Sequence, residues 1–217
     1  MPPFPPELRY VAIEGVIGAG KTSLARLLAR DCGGRLHLEV VDDNPFLPRF
    51  YSEPKRYAFP TQIFFLLSRF RQQQELFQQD LFGAAVISDY IFAKDRIFAN
   101  VNLDDEELRL YERLAAELEP RVPVPDMVVY LQASVEVLLA RIARRGREYE
   151  RGIAPSYIEE LNDAYNHFFF HYDDSPLLVV NTNEMDFVHH PEHYEILRRR
   201  IGEPFQGVRY YTPAWEK

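Results

Sequence analysis

The sequence predicts an α/β fold in which a five-stranded parallel sheet is covered by helices on both faces. Two observations lead there. Five short apolar runs bounded by turn residues recur along the chain, and the stretches between them carry helical spacing of apolar residues. A third concerns organisation: no linker divides the chain and no internal repeat occurs, so residues 1–217 are expected to form one domain.

Taken in order, Tyr10–Glu14 is short and apolar and runs into glycines, which makes it the first strand. An amphipathic helix follows from Lys21 to about Asp31, then a second strand at Leu36–Val41. A long helical pattern from Tyr57 to Leu81 leads to a third strand at Ala84–Ser88. Helices at Asp104–Leu118 and Val135–Arg145 flank a fourth strand at Met127–Leu131. Ser156–Phe170 reads as a helix, Leu177–Asn181 as the fifth strand and Pro191–Arg200 as the closing helix.

Composition narrows the class. Apolar residues make up 47% of the chain and aromatics 14%, enough to bury a large core. The single cysteine, Cys32, excludes an intrachain disulfide and suits a reducing compartment. No run of ~18 apolar residues predicts a membrane span. The start, Met1 to Pro6, lacks the basic and apolar blocks of a signal peptide, so a cytoplasmic protein is expected. A net charge of −8 argues against a nucleic-acid polymer as partner, because a phosphate backbone needs a basic face. Small anions remain open wherever positive charge is concentrated.

Such a place exists. Gly15-Val16-Ile17-Gly18-Ala19-Gly20-Lys21-Thr22 fits GxxxxGK[ST] and sits between an apolar strand and a helix. Backbone N–H groups of such a loop converge on one concavity, and the helix N-terminus adds partial positive charge, which makes a phosphate site. Lys21 is expected to reach the β- and γ-phosphates and Thr22 to help hold Mg²⁺. Gly15, Gly18, Ala19, Gly20, Lys21, Thr22 and Ser23 are thus the expected triphosphate-binding residues. No NKxD follows the later strands, which disfavours a GTPase, and Val86-Ile87-Ser88-Asp89 ends on a lone acid rather than the Asp-Glu pair of a motor ATPase. A small-molecule kinase fits better.

Arg141, Arg144, Arg145, Arg147 and Arg151 crowd into a short stretch around Gly146. Like charges four apart on a helix repel, so these guanidiniums are either neutralised by Glu148 and Glu150 or form a clamp for phosphate oxygens. The second reading predicts an arginine-rich lid over about residues 144–154. Glu39 near the end of the second strand and Asp89 at the end of the third lie where open α/β sheets bind ligands. One such carboxylate can take the proton of an attacking hydroxyl, and another can hold Mg²⁺ directly or through water; Thr22, Asp89 and Glu39 are the candidate metal set.

These residues resemble the deoxynucleoside kinase family, most of all its bacterial deoxyguanosine and deoxyadenosine kinase type, from about Tyr10 to Phe187. The more particular motifs are Asp43 to Tyr51, Gln62 to Arg69, Ile91 to Ala99, and Arg145-Gly146-Arg147 with Glu150. The resemblance implies a phosphate-loop kinase fold and ATP-dependent 5′-phosphorylation of a deoxynucleoside, deoxyguanosine first and deoxyadenosine second. It implies that Glu39 is the general base and that Tyr51 and Glu150 bind the 3′-hydroxyl. Gln62, Arg69 and Asp95 would read the base, in a pocket lined by aromatics such as Phe92. Arg141, Arg145 and Arg147, with Lys21, would serve the transferring phosphoryl group, and Asn181 to Phe187 would lie under the donor adenine. One departure stands out: many members place Arg-Ser after the strand-end acid, whereas this chain reads Asp89-Tyr90-Ile91. Lys94 or the lid would then supply the charge. The long helix, with Ile63–Leu67, Phe59, Phe64, Phe70 and Phe77, is apolar on more than one face, so a homodimer is expected. Two alternatives stay open: a thymidylate-like nucleoside monophosphate kinase, for which Lys55 and Arg56 are suggestive, and a non-catalytic nucleotide-binding partner subunit.

Overall fold

A computed structural model describes residues 5, 8–78 and 84–213. The strands are β1 (Tyr10–Glu14), β2 (Arg35–His37), β3 (Val86–Ser88), β4 (Met127–Gln132), β5 (Leu177–Asn181) and β6 (Val208–Tyr211). The helices are α1 (Lys21–Cys32), α2 (Leu47–Phe50), α3 (Pro54–Gln78), α4 (Lys94–Asn102), α5 (Asp105–Leu118), α6 (Val135–Arg145), α7 (Pro155–Phe170) and α8 (Pro191–Gly202). The sheet runs β2-β3-β1-β4-β5-β6 with every neighbouring pair parallel. No helix among the described residues is long and apolar enough to cross a membrane.

Six strands replace the expected five. β6 alternates between exposed and half-buried residues, the mark of an edge strand, so it lacks the apolar run that identifies its neighbours. β2 ends at His37 rather than Val41. Asp89 causes the early stop: its N–H donates to the His37 carbonyl, and its carboxylate Oδ1 accepts the Glu39 N–H at 2.8 Å, which turns the chain out of the sheet. α2 and α4 were not expected as elements. The end of the predicted long helix, through Leu81, and the Phe77 side chain lie outside the described residues.

Two apolar clusters hold the molecule together. The larger joins β1, β4 and β5 to α1, α6, α7 and α8, and includes Ile13, Leu24, Val129, Leu138, Ile158 and Leu197, all buried. The smaller packs Phe65 and Leu66 of α3 against Ala99 of α4 and Tyr111 and Ala115 of α5, with Phe92 between. Burying such side chains contributes ~1.5–3 kcal/mol each, which fixes where α3 and α4 stand beside the strand ends. Local signals agree. Asp104 and Glu107 close a reciprocal capping box at the start of α5, and Ser134 caps α6. α1 begins at Gly20 with no side-chain cap, leaving its first N–H groups for a ligand.

Candidate active site

The loop between β1 and α1 turns on glycines that no other residue would replace without strain. Gly18 and Gly20 have φ of 88° and 99°, and a Cβ on Gly18 would lie 2.8 Å from the Leu138 carbonyl oxygen. Lys21 closes the loop, its Nζ donating to the carbonyls of Gly15 (2.7 Å) and Val16 (3.1 Å). Burial, and then the nearby Lys94 ammonium, push the Lys21 pKa down to about 8, against the pull of Glu14, Glu39 and Asp89. The Thr22 hydroxyl donates to Asp89 Oδ2 at 2.5 Å.

Two cavities meet here. One, of about 420 Å³, is walled by Gly18 to Ser23, by Arg141, Arg144, Arg145 and Arg147, and by the loop from Met185 to His189. The other, of about 270 Å³, lies between the strand ends and α3, with Glu39, Tyr51, Gln62, Arg69, Asp89, Lys94 and Glu150 among its walls. Lys21, Thr22, Arg145 and Arg147 line both. The first cavity is cationic around a helix N-terminus, so it suits a polyphosphate. The second mixes aromatic rings with buried acceptors and donors, so it suits a flat polar ring bearing hydroxyls.

A buried chain of alternating charge runs along the second cavity. Lys94 Nζ donates to Glu39 Oε2 at 2.5 Å, Arg69 donates to Glu39 Oε1 through Nε (2.9 Å) and Nη2 (2.5 Å), and Arg69 Nη1 also meets Asp95. Burial opposes ionisation of Glu39, but the Lys94 and Arg69 cations outweigh it and hold the carboxyl well below the usual carboxylate range. Asp95 is fully buried, accepts both Gln62 amide hydrogens at 2.9 and 3.0 Å, and accepts the Tyr111 hydroxyl at 3.0 Å.

Comparison with known proteins decides what this constellation belongs to. The sequence model of the deoxynucleoside kinase family matches residues 11–205. The chain belongs to the deoxynucleoside kinase family. It is 35% identical to the deoxyguanosine kinase of Bacillus subtilis (strain 168) over 89% of this chain and 96% of that one. It is 34% identical to the deoxyadenosine kinase of Dictyostelium discoideum, over 93% and 81%. Among solved structures, the deoxyadenosine kinase from M. mycoides with bound dATP superposes with a TM-score of 0.79 at 27% identity, covering 90% of this chain and 100% of the other. This deoxynucleoside kinase is therefore a phosphotransferase, and its six-stranded parallel sheet is the sheet of a phosphate-loop kinase.

The structure brings most of the expected site residues of the kinase together and sets two aside. Asp95 does not line the cavity: it stands behind Gln62 and Arg69 and orients both. Phe92 packs in the smaller apolar cluster, and the cavity's rings are Phe50, Phe65 and Phe98 with three tyrosines. Tyr51 stacks on Tyr149, centroids 6.3 Å apart and planes 8° from parallel. Arg141 behaves as a latch, its Nη2 donating to the carbonyls of Thr182 (2.6 Å) and Met185 (2.9 Å). Arg145 holds buried Glu150 through Nε (3.1 Å) and Nη2 (2.6 Å). Glu14 and Tyr149 were missed from the sequence. Glu14 is fully buried beside the loop, with Oε1 accepting the Ile91 N–H and Oε2 the Gly15 N–H, and burial raises its pKa. Its place directly before Gly15 was the available signal.

Proposed function

We propose that this kinase transfers the γ-phosphoryl group of ATP to the 5′-hydroxyl of a purine deoxynucleoside, deoxyguanosine first and deoxyadenosine second. The observation that carries this reading is the meeting of the two cavities at Lys21, Thr22, Arg145 and Arg147. A polyphosphate on the loop and a nucleoside in the second cavity place the reacting phosphorus at that junction. Glu39 takes the 5′-hydroxyl proton, and Lys21, Arg145 and Arg147 face the charge that develops on the phosphoryl oxygens. Tyr51 and Glu150 hold the 3′-hydroxyl, and the crowding at Tyr51 favours deoxyribose. Gln62 and Arg69 meet the base edge, and an Arg fork matches guanine O6 and N7. The named substrates of the relatives from Bacillus subtilis and Dictyostelium discoideum support a purine.

Thr22 Oγ1 and Asp89 Oδ2 are paired oxygen donors at the loop, and no cluster of three or more His, Cys, Asp or Glu able to hold a metal occurs among the described residues. That set fits Mg²⁺, which needs few protein ligands and keeps most of its waters. When bound, Mg²⁺ would neutralise charge on the donor phosphates. Glu39 falls out of the metal set because both its oxygens already meet cations.

Residues 1–217 act as one cytoplasmic domain, with residues 144–154 as a lid hinged at Gly146, which ends α6 at φ 70°. Lys55 and Arg56, which a monophosphate acceptor would need, are exposed and line neither cavity. The deciding measurement is kcat/KM for deoxyguanosine, deoxyadenosine, deoxycytidine, thymidine and thymidine monophosphate with ATP. Thymidine or its monophosphate as best acceptor would overturn the assignment. Glu39→Gln should lower kcat by about 10²–10⁴-fold; a fully active Glu39→Gln would remove the base.

A further inference from the structure

Both lone pairs of Glu39 Oε1 are taken by Arg69, through Nε and Nη2. Oε2 meets only Lys94 Nζ among the described residues. A carboxylate oxygen accepts two hydrogen bonds. The one acceptor position left on Glu39 is therefore on Oε2, next to the Lys94 ammonium. Lys94 is itself buried in the cavity wall, at the first turn of α4, and Glu39 takes one of its three N–H groups. Tyr90, which follows the strand-end acid, is turned away: its hydroxyl lies 2.8 Å from His37 Nε2 and donates to Gln72.

We propose that Lys94 is a catalytic residue that donates a hydrogen bond to the acceptor 5′-oxygen from the same corner at which Glu39 Oε2 removes its proton. The inference rests on the reading of Glu39 as base. In the step, the 5′-O–H proton passes to Oε2 while the 5′-oxygen bonds to the γ-phosphorus. The bond from that phosphorus to the bridging oxygen breaks, and its electron pair leaves with ADP. Glu39 later gives the proton to water. Lys94 meets the negative charge that grows on the 5′-oxygen, whereas Arg69, committed to Oε1 and to Asp95, holds the base in place. A lysine does this well because its compact ammonium can serve Oε2 and the 5′-oxygen through separate N–H groups.

The test uses the full chain with Lys94→Met and with Lys94→Gln, the second keeping a polar group in the buried wall. Folding is checked by circular dichroism and by ADP binding on the loop. The expected result is a kcat about 100-fold lower, with KM for ATP within a few fold of wild type. Wild type should bind a deoxynucleoside more tightly than its 5′-deoxy analogue, and that preference should shrink several-fold in both variants while the analogue's own affinity is kept. A lysine that only supported the wall would lower both affinities together. Wild-type kcat in either folded variant, or an intact preference for the 5′-hydroxyl, overturns the proposal. Failure of both variants to fold assigns Lys94 to the scaffold and overturns it too. If Glu39→Gln is inactive and the Lys94 variants are not, only this inference fails; if Glu39→Gln is active, the reading beneath it fails.

Discussion

Lys21 and Asp95 show how much a single buried charge decides. With its pKa near 8, Lys21 is about half protonated at pH 8, and a polyphosphate beside it favours the charged form. ATP binding at pH 8 should therefore take up a fraction of a proton, and ATP affinity should fall as pH rises through 8. Calorimetry in two buffers of different ionisation enthalpy measures this uptake, and zero uptake contradicts it. Lys21→Ala should keep the fold and lower kcat by at least ~10²-fold, as removal of a preorganised charge does elsewhere. Asp95 contributes through partners rather than by touching the nucleoside. Asp95→Ala leaves the Arg69 guanidinium buried with only Glu39, strips Tyr111 of its acceptor and leaves Gln62 only the backbone carbonyl of residue 95. Urea denaturation should show a loss of about 3–5 kcal/mol, the cost of breaking a buried pair from one side.

The elements are placed so that their ends, not their middles, carry the chemistry. α1 opens on Gly20 with no side-chain cap, and a Cβ there would lie 2.9 Å from the Phe187 ring, which walls the same donor cavity. Gly20→Ala combines that clash with a φ of 99°, so a loss of about 1–3 kcal/mol and weakened ADP binding are expected by thermal shift with and without ADP. Arg141 ties α6 to the loop after β5 by three hydrogen bonds to Thr182 and Met185. Arg141→Ala should raise KM for ATP several-fold and leave KM for the deoxynucleoside near wild type; equal changes in both would show that the latch does not act on the donor side.

At the scale of the whole molecule, α4 and α5 cover one face of α3 but not the other. Leu67 on α3 and Leu110 and Leu114, one turn apart on α5, remain 45%, 48% and 42% exposed. Ile63, Leu67 and Phe70 follow helical spacing along α3, with Ile63 and Phe70 half-buried. We expect a homodimer through this face. Light scattering at micromolar concentration should give twice the chain's mass of 25.5 kDa, and Leu67→Asp should return it to a monomer that stays folded. A monomeric wild type ends the idea.

What the sequence determined by itself follows from short-range rules. β1, the phosphate loop and α1 are adjacent in the chain, so apolar run, glycines and Lys21-Thr22 declare strand, turn and anion site together. β4, α6, β5 and α7 are equally plain, because a strand buried on both faces must be apolar throughout and an amphipathic helix must repeat every third or fourth residue. β6 escaped because an edge strand half open to water carries no such run, and β2 was read too long because the bond from Glu39 N–H to Asp89 is a contact across the sheet. Which residues act together was decided only by tertiary structure. Glu39, Arg69, Lys94 and Asp95 come from the turn just after β2, from α3 and from α4, and nothing in their spacing says that Lys94 faces Oε2 while Asp95 hides behind Gln62. Packing of Phe65, Leu66, Ala99 and Tyr111 brings those helices to one strand end. Charges so assembled are buried, so each must find a partner within a few ångströms; those partners lie up to 55 residues away in sequence.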